Sequence, residues 1–76
     1  MKEVLELLVT NLVEDKAAVE VNQVDGEKSI ILEVRVAESD MGKVIGRQGK
    51  IAKSIRTVMK ALAAKENKKI TVEFKG

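Results

Sequence analysis

Residues 29–37, SIILEVRVA, alternate between apolar and polar side chains. Ile30, Leu32, Val34 and Val36 share one face, and Glu33 and Arg35 share the other. A strand of this kind buries one face and leaves the other mostly wet, so a second layer has to cover the apolar side. Two further segments carry the same period. Residues 17–24, AAVEVNQV, set Val19 and Val21 against Glu20 and Asn22, and residues 70–75, ITVEFK, place Ile70, Val72 and Phe74 together. Asp25-Gly26 lies between the first two runs and predicts a hairpin closed by a tight primed turn, which needs positive φ.

The covering layer is written at helical spacing. Residues 2–14, KEVLELLVTNLVE, carry an apolar stripe of Val4, Leu5, Leu8 and Leu12. Leu7 and Val13 fall outside that stripe, either exposed or facing a partner. Ser39 or Asp40 is placed to cap a short helix over 40–45. Residues 50–65, KIAKSIRTVMKALAAK, predict a long helix with Ile51, Ile55, Val58 and Leu62 inward and Lys50, Lys53, Arg56 and Lys60 off the stripe. Met59 and Ala63 flank this stripe, and ENKK at 66–69 ends the helix. The order α-β-β-α-α-β predicts an α+β two-layer sandwich: a three-stranded mixed sheet with three helices on one face. The second and third strands are expected to be parallel. No repeat or linker interrupts the chain, so residues 1–76 read as a single domain, close to the lower size for one self-sufficient core.

Composition narrows the chemistry. The chain has no Cys and no His, so thiolate and imidazole sites are excluded, and no Ser has a base to activate it. The expectation is a protein that is not an enzyme and carries no metal or cofactor. No apolar run approaches the roughly 18 residues of a membrane span, which makes the cytoplasm the expected location. The net charge of +2 hides a division. Residues 1–40 hold four Lys and Arg against ten Asp and Glu, a net of −6, while residues 41–76 hold ten against two, a net of +8. The basic half begins just before a pair of glycines and points to an anionic partner there.

Those glycines lie in VIGRQGKIAKSIR, residues 44–56. Counting from Gly42, the P-loop spacing fails at Arg47. Gly42, Gly46 and Gly49 do not make a dinucleotide fingerprint either, and no strand feeds directly into them. What remains is helix-GxxG-helix. Without Cβ atoms at Gly46 and Gly49, a sugar-phosphate backbone can approach closely. The following helix offers unpaired N–H groups and the positive end of its dipole. Arg47, Lys50 and Lys53 add charge, and Val44, Ile45 and Ala52 offer an apolar wall for bases.

VIGRQGKIAKSI resembles the V-I-G-x-x-G signature of KH domains, followed by an apolar and basic helix. The element order is similar to the bacterial, type II arrangement, and the likeness spans essentially the whole chain. In that family the loop clamps about four single-stranded nucleotides. The resemblance makes Gly46 and Gly49 the clamp glycines and Arg47 and Gln48 the variable pair. Ile45 is then the residue before the loop, and Lys53 and Ile55 the basic and apolar positions of the next helix. Ala52 departs from the larger Ile of many KH domains and makes the groove shallower. The expected function is single-stranded RNA binding, as an RNA chaperone or post-transcriptional regulator. Ile45, Gly46, Arg47, Gln48, Gly49, Lys50 and Lys53 form the expected site, with Val44, Ala52 and Val36 lining the base groove. The resemblance further implies a homodimer and a second KH-containing partner of the KhpB (Jag/EloR) kind, linked to control of cell elongation, division and wall organisation. For self-contact, the residues favour the long helix around Met59, where Ala52 and Ala63 allow close approach. The rival reading is a dimerisation adaptor with little RNA binding; an acidic residue in the loop would mark it, and none is there.

Overall fold

A computed structural model describes residues 1–75. Helix α1 (Lys2–Thr10) is followed by strands β1 (Glu20–Asp25) and β2 (Ser29–Arg35), helices α2 (Met41–Ile45) and α3 (Lys50–Lys65), and strand β3 (Lys69–Lys75). Short 3-10 turns occupy Lys16–Ala18, Glu38–Asp40 and Arg47–Gly49. The sheet order is β1-β2-β3, with β1 antiparallel and β3 parallel to the central strand. This is the expected α+β sandwich, with β2 as its middle. Ile30, Leu32 and Val34 are buried, while Ile31, Glu33 and Arg35 lie on the other face. On that outer face the Lys75 ammonium donates to the Glu33 carboxylate at 2.6 Å, tying β3 to β2.

The hairpin forms, but its turn is displaced from the expected one. The Gly26 N–H donates to the Ser29 carbonyl at 2.7 Å, so Glu27 and Lys28 make the turn. Gly26 does not adopt positive φ. Residues 16–18 wind into a 3-10 turn, so the first strand starts at Glu20 rather than at 17.

Both long helices bury a different stripe from the expected one. Helix α1 stops at Thr10, and the Asn11 side-chain amide donates to the Leu7 carbonyl at 2.8 Å, giving the terminus a partner outside the helical ladder. Its buried residues are Leu5 and Val9, and Leu7 stands 64% exposed. Val13 joins the core, because the chain has already turned and helical phase no longer places it. Helix α3 has the expected bounds but is rotated: Ala52, Ile55, Met59 and Ala63 are buried, and Val58 is 44% exposed. Small residues at 52 and 63 let this face lie close to the sheet, and the flexible Met59 side chain fills the middle. Met59 is 0% exposed, so the expected self-contact around it is overturned; a change there acts on folding. Asn67 in the left-handed region ends the helix, with Lys68 N–H donating to the Ala63 carbonyl and Asn67 N–H to the Ala64 carbonyl, both at 3.0 Å.

Asp40 fixes the root of α2. It does not cap that helix, as the sequence led us to expect. Its carboxylate is buried and accepts from the Glu14 N–H at 3.2 Å and the Asp15 N–H at 3.0 Å. Lys43 lies 3.4 Å from the Asp40 carboxylate and 3.0 Å from that of Glu14. The Asp15 amide is the main reason the Asp40 carboxyl sits below its usual pKa, with the Glu14 amide and Lys43 assisting against the cost of burial. A lowered folded pKa gives stabilisation that is complete above the unfolded value of about 3.9 and is lost as pH falls through the folded value. Asp40→Asn therefore lowers Tm at neutral pH, and the gap from the parent protein narrows below about pH 4. Thermal unfolding followed by circular dichroism across that range checks it; a gap independent of pH contradicts it.

Candidate nucleic-acid interface

Helix α2 delivers the chain to Ile45, where Gly46 N–H closes on the Gly42 carbonyl at 2.9 Å. Gly46 has φ 76° and ψ 175°, a region open essentially to glycine alone. A Cβ there would lie 2.6 Å from Cγ1 and 2.8 Å from Cβ of Ile51. Ile51 belongs to the first turn of α3, so this contact joins the loop to the helix it precedes. Gly49 has φ 74° and ψ 13°, and nothing stands within 4 Å of where its Cβ would be. The two glycines thus differ in task. Gly46 allows close packing inward, and Gly49 leaves open ground outward. Between them Gln48 also takes a left-handed conformation, φ 57° and ψ 27°, and Gly49 N–H donates to the Gly46 carbonyl at 3.2 Å.

No side chain caps α3. The Lys50 N–H donates to the Arg47 carbonyl, and the positive end of the helix dipole at this terminus is a favourable setting for an anion. Arg47, Gln48, Lys50 and Lys53 are exposed around it. Among the described residues none of these three cations is ion-paired, whereas Lys43 is held by Glu14 and Asp40. The residues expected at the site converge only in part. Ile45 is half-buried beside the loop and presents apolar surface. Val44, Ala52 and Val36 do not: they are 0%, 1% and 5% exposed. Their side chains lie in the buried interior, so the expected wall of bare valine and alanine is corrected to buried residues.

Sequence reasoning missed the ground beyond Lys53. A cleft of about 220 Å³ opens between α3 and β3, lined by Arg56, Lys60, Ile70, Thr71 and Val72. Arg56 Nε donates to the Val72 carbonyl at 3.2 Å, and its guanidinium carbon lies 5.2 Å from the centre of the Phe74 ring. Stacking on the chain's only aromatic residue holds this cation at the edge of the sheet. The sequence put Lys53, Arg56 and Lys60 only off the apolar stripe; the strand that completes the cleft could be found only in three dimensions. Among the described residues no His, Cys, Asp and Glu cluster is placed to hold a metal, and no helix is long and apolar enough to cross a membrane. Loop amides, three unpaired cations and a neighbouring apolar surface make a setting for phosphodiesters and the bases attached to them.

The family model described as "KhpA/KhpB, KH domain" matches residues 2–74. The protein named RNA-binding protein KhpA in Clostridium perfringens is 60% identical over 74 residues, covering 97% of this chain and 99% of its own. The proteins of the same name in Borreliella burgdorferi and Aquifex aeolicus are 49% and 40% identical, over 95% and 97% of this chain and 88% and 94% of their own. No solved structure gives a significant match.

The different tasks of the glycines have different costs when a methyl is added. Gly49→Ala is expected to lose about 1–2 kcal/mol, the cost of a left-handed backbone alone. Gly46→Ala is expected to lose a further 1–3 kcal/mol or so, because its methyl also overlaps Ile51. Urea denaturation of both variants checks the order; equal losses contradict it.

Proposed function

The chain belongs to the KhpA/KhpB KH-domain family, and on that premise we propose that it binds single-stranded RNA through the Gly46–Gly49 loop. The observation that carries the proposal is the uncapped start of α3, opened by Gly49 and ringed by unpaired Arg47, Lys50 and Lys53. The loop and first-turn amides with these three cations hold successive phosphates, and Ile45 receives a base against its exposed edge. Gln48 offers an amide that both donates and accepts, suited to a base edge or a sugar hydroxyl. Residues 1–76 act as a single domain that binds and does no chemistry, as an RNA chaperone or regulator in the cytoplasm.

One such clamp holds few nucleotides, so useful affinity comes from pairing two of them. We propose self-association or pairing with a second KH protein of the KhpB type, serving control of cell elongation and division. With Met59 in the core, one available apolar patch is Val4 on α1 beside Leu62 on α3, with Leu7 exposed on the same helix as Val4.

Replacing Arg47 and Gln48 together by Asp tests the clamp. Both side chains are exposed, and Asp tolerates the left-handed backbone of position 48. The fold is expected to persist by circular dichroism while RNA binding is lost. For the parent protein on a short RNA that fills the loop alone, three neutralised phosphates give a slope of log affinity against log salt of about −2. Binding that survives the double substitution within about twofold, with the fold intact, rejects the loop as the site.

A further inference from the structure

The far end of the α3–β3 cleft is unassigned by the loop. A second opening of about 310 Å³, lined by Lys60, Lys68, Lys69 and Ile70, adjoins the one bordered by Arg56. The two share Lys60 and Ile70 and lie in succession along the edge strand β3. No carboxylate lines either part. Among the described residues Arg56, Lys60, Lys68 and Lys69 have no ion-pair partner, although Lys2, Lys43 and Lys75 all have one. Three ammonium groups around one opening repel one another, a cost that a bound polyanion removes. Ile70, half-buried, supplies an apolar strip along the bottom.

Position sets this end apart from the clamp. Lys60 is ten residues along α3 from Lys50, about 15 Å at helical rise. Lys53, Arg56 and Lys60 recur at spacings of three, four and seven and so share one stripe of α3. That stripe runs from the loop directly to the lysine end. A strand leaving the loop along it meets a phosphate-binding group at each turn of the helix.

We propose that Lys60, Lys68 and Lys69 form a second phosphate-contacting site, which extends the bound single-stranded RNA along the α3–β3 cleft beyond the nucleotides held by the loop. The inference rests on the loop being an RNA clamp, and it determines the length of RNA the domain prefers. A short strand fills the loop alone; a longer one reaches the lysines.

The test compares Lys60→Ala/Lys68→Ala/Lys69→Ala with the parent protein on unstructured RNAs of five and of twelve nucleotides. Comparing proteins on the same RNA cancels any gain from multiple binding registers. The triple variant is expected to bind the shorter RNA within about twofold of the parent, which also shows that it is folded. It is expected to bind the longer one roughly tenfold more weakly, with a salt slope shallower by about two units. Unchanged affinity for the longer RNA overturns the second site, as does equal weakening on both RNAs, which is general attraction. A parent protein that binds the shorter RNA and gains nothing from the longer one in salt slope overturns the second site and leaves the clamp standing. A parent protein that binds neither RNA removes the clamp itself and the extension with it.

Discussion

Ile51 fills the space where Gly46 has no side chain. Because that contact joins the residue just after α2 to the first turn of α3, it constrains the angle at which α2 meets α3. The exposed residues of the loop follow from it. With Gly46 pressed inward, the chain turns over Gln48 and brings Gly49 up with nothing beside it. The open side of Gly49 is then also the uncapped end of α3. Asp40 holds the other end of the short helix α2, through the amides of Glu14 and Asp15. Five helical residues are thereby held at both ends.

The same region also has a buried side. Val44 and Ala52 have essentially no exposure, and α3 sits on the sheet through Ile55, Met59 and Ala63. Helix α3 therefore has two separate faces. One is small and apolar and lies against the core. The other carries Lys50, Lys53, Arg56 and Lys60, all exposed. The acidic first half of the chain engages only a few of the basic residues of the second half. Glu14 and Asp40 hold Lys43, and Glu33 holds Lys75, while the cations along α3 have no ion pair among the described residues.

Much of this was legible in the residues. The alternation in SIILEVRVA placed Ile30, Leu32 and Val34 inward, and the element order led to the mixed sheet that β2 and β3 complete by parallel pairing. The bounds of α3 and the membership in the KH family were readable from KIAKSIRTVMKALAAK and the glycines before it. The rotation of α3 was not. Periodicity weighed large apolar residues such as Val58 and Leu62 above Ala52 and Ala63, but close packing against a sheet favours the small ones. Val13 was misplaced because α1 stops at Thr10. Asp40 looked like a cap, since its true partners are more than twenty residues away in the chain. The groove residues Val44, Ala52 and Val36 were chosen for being apolar and near the loop; near a two-layer core, apolar residues are drawn inward.

The central claim is that the loop and the start of α3 receive the RNA backbone through their amides. Amide chemical shifts of the uniformly labelled protein, followed by NMR during titration with a short unstructured single-stranded RNA, test it most directly. The account predicts the largest changes at Gly46 through Lys53, with the outer face of the sheet at Val24 and Ile31 unmoved. Changes concentrated on that outer face, or spread evenly over every basic surface, would contradict it.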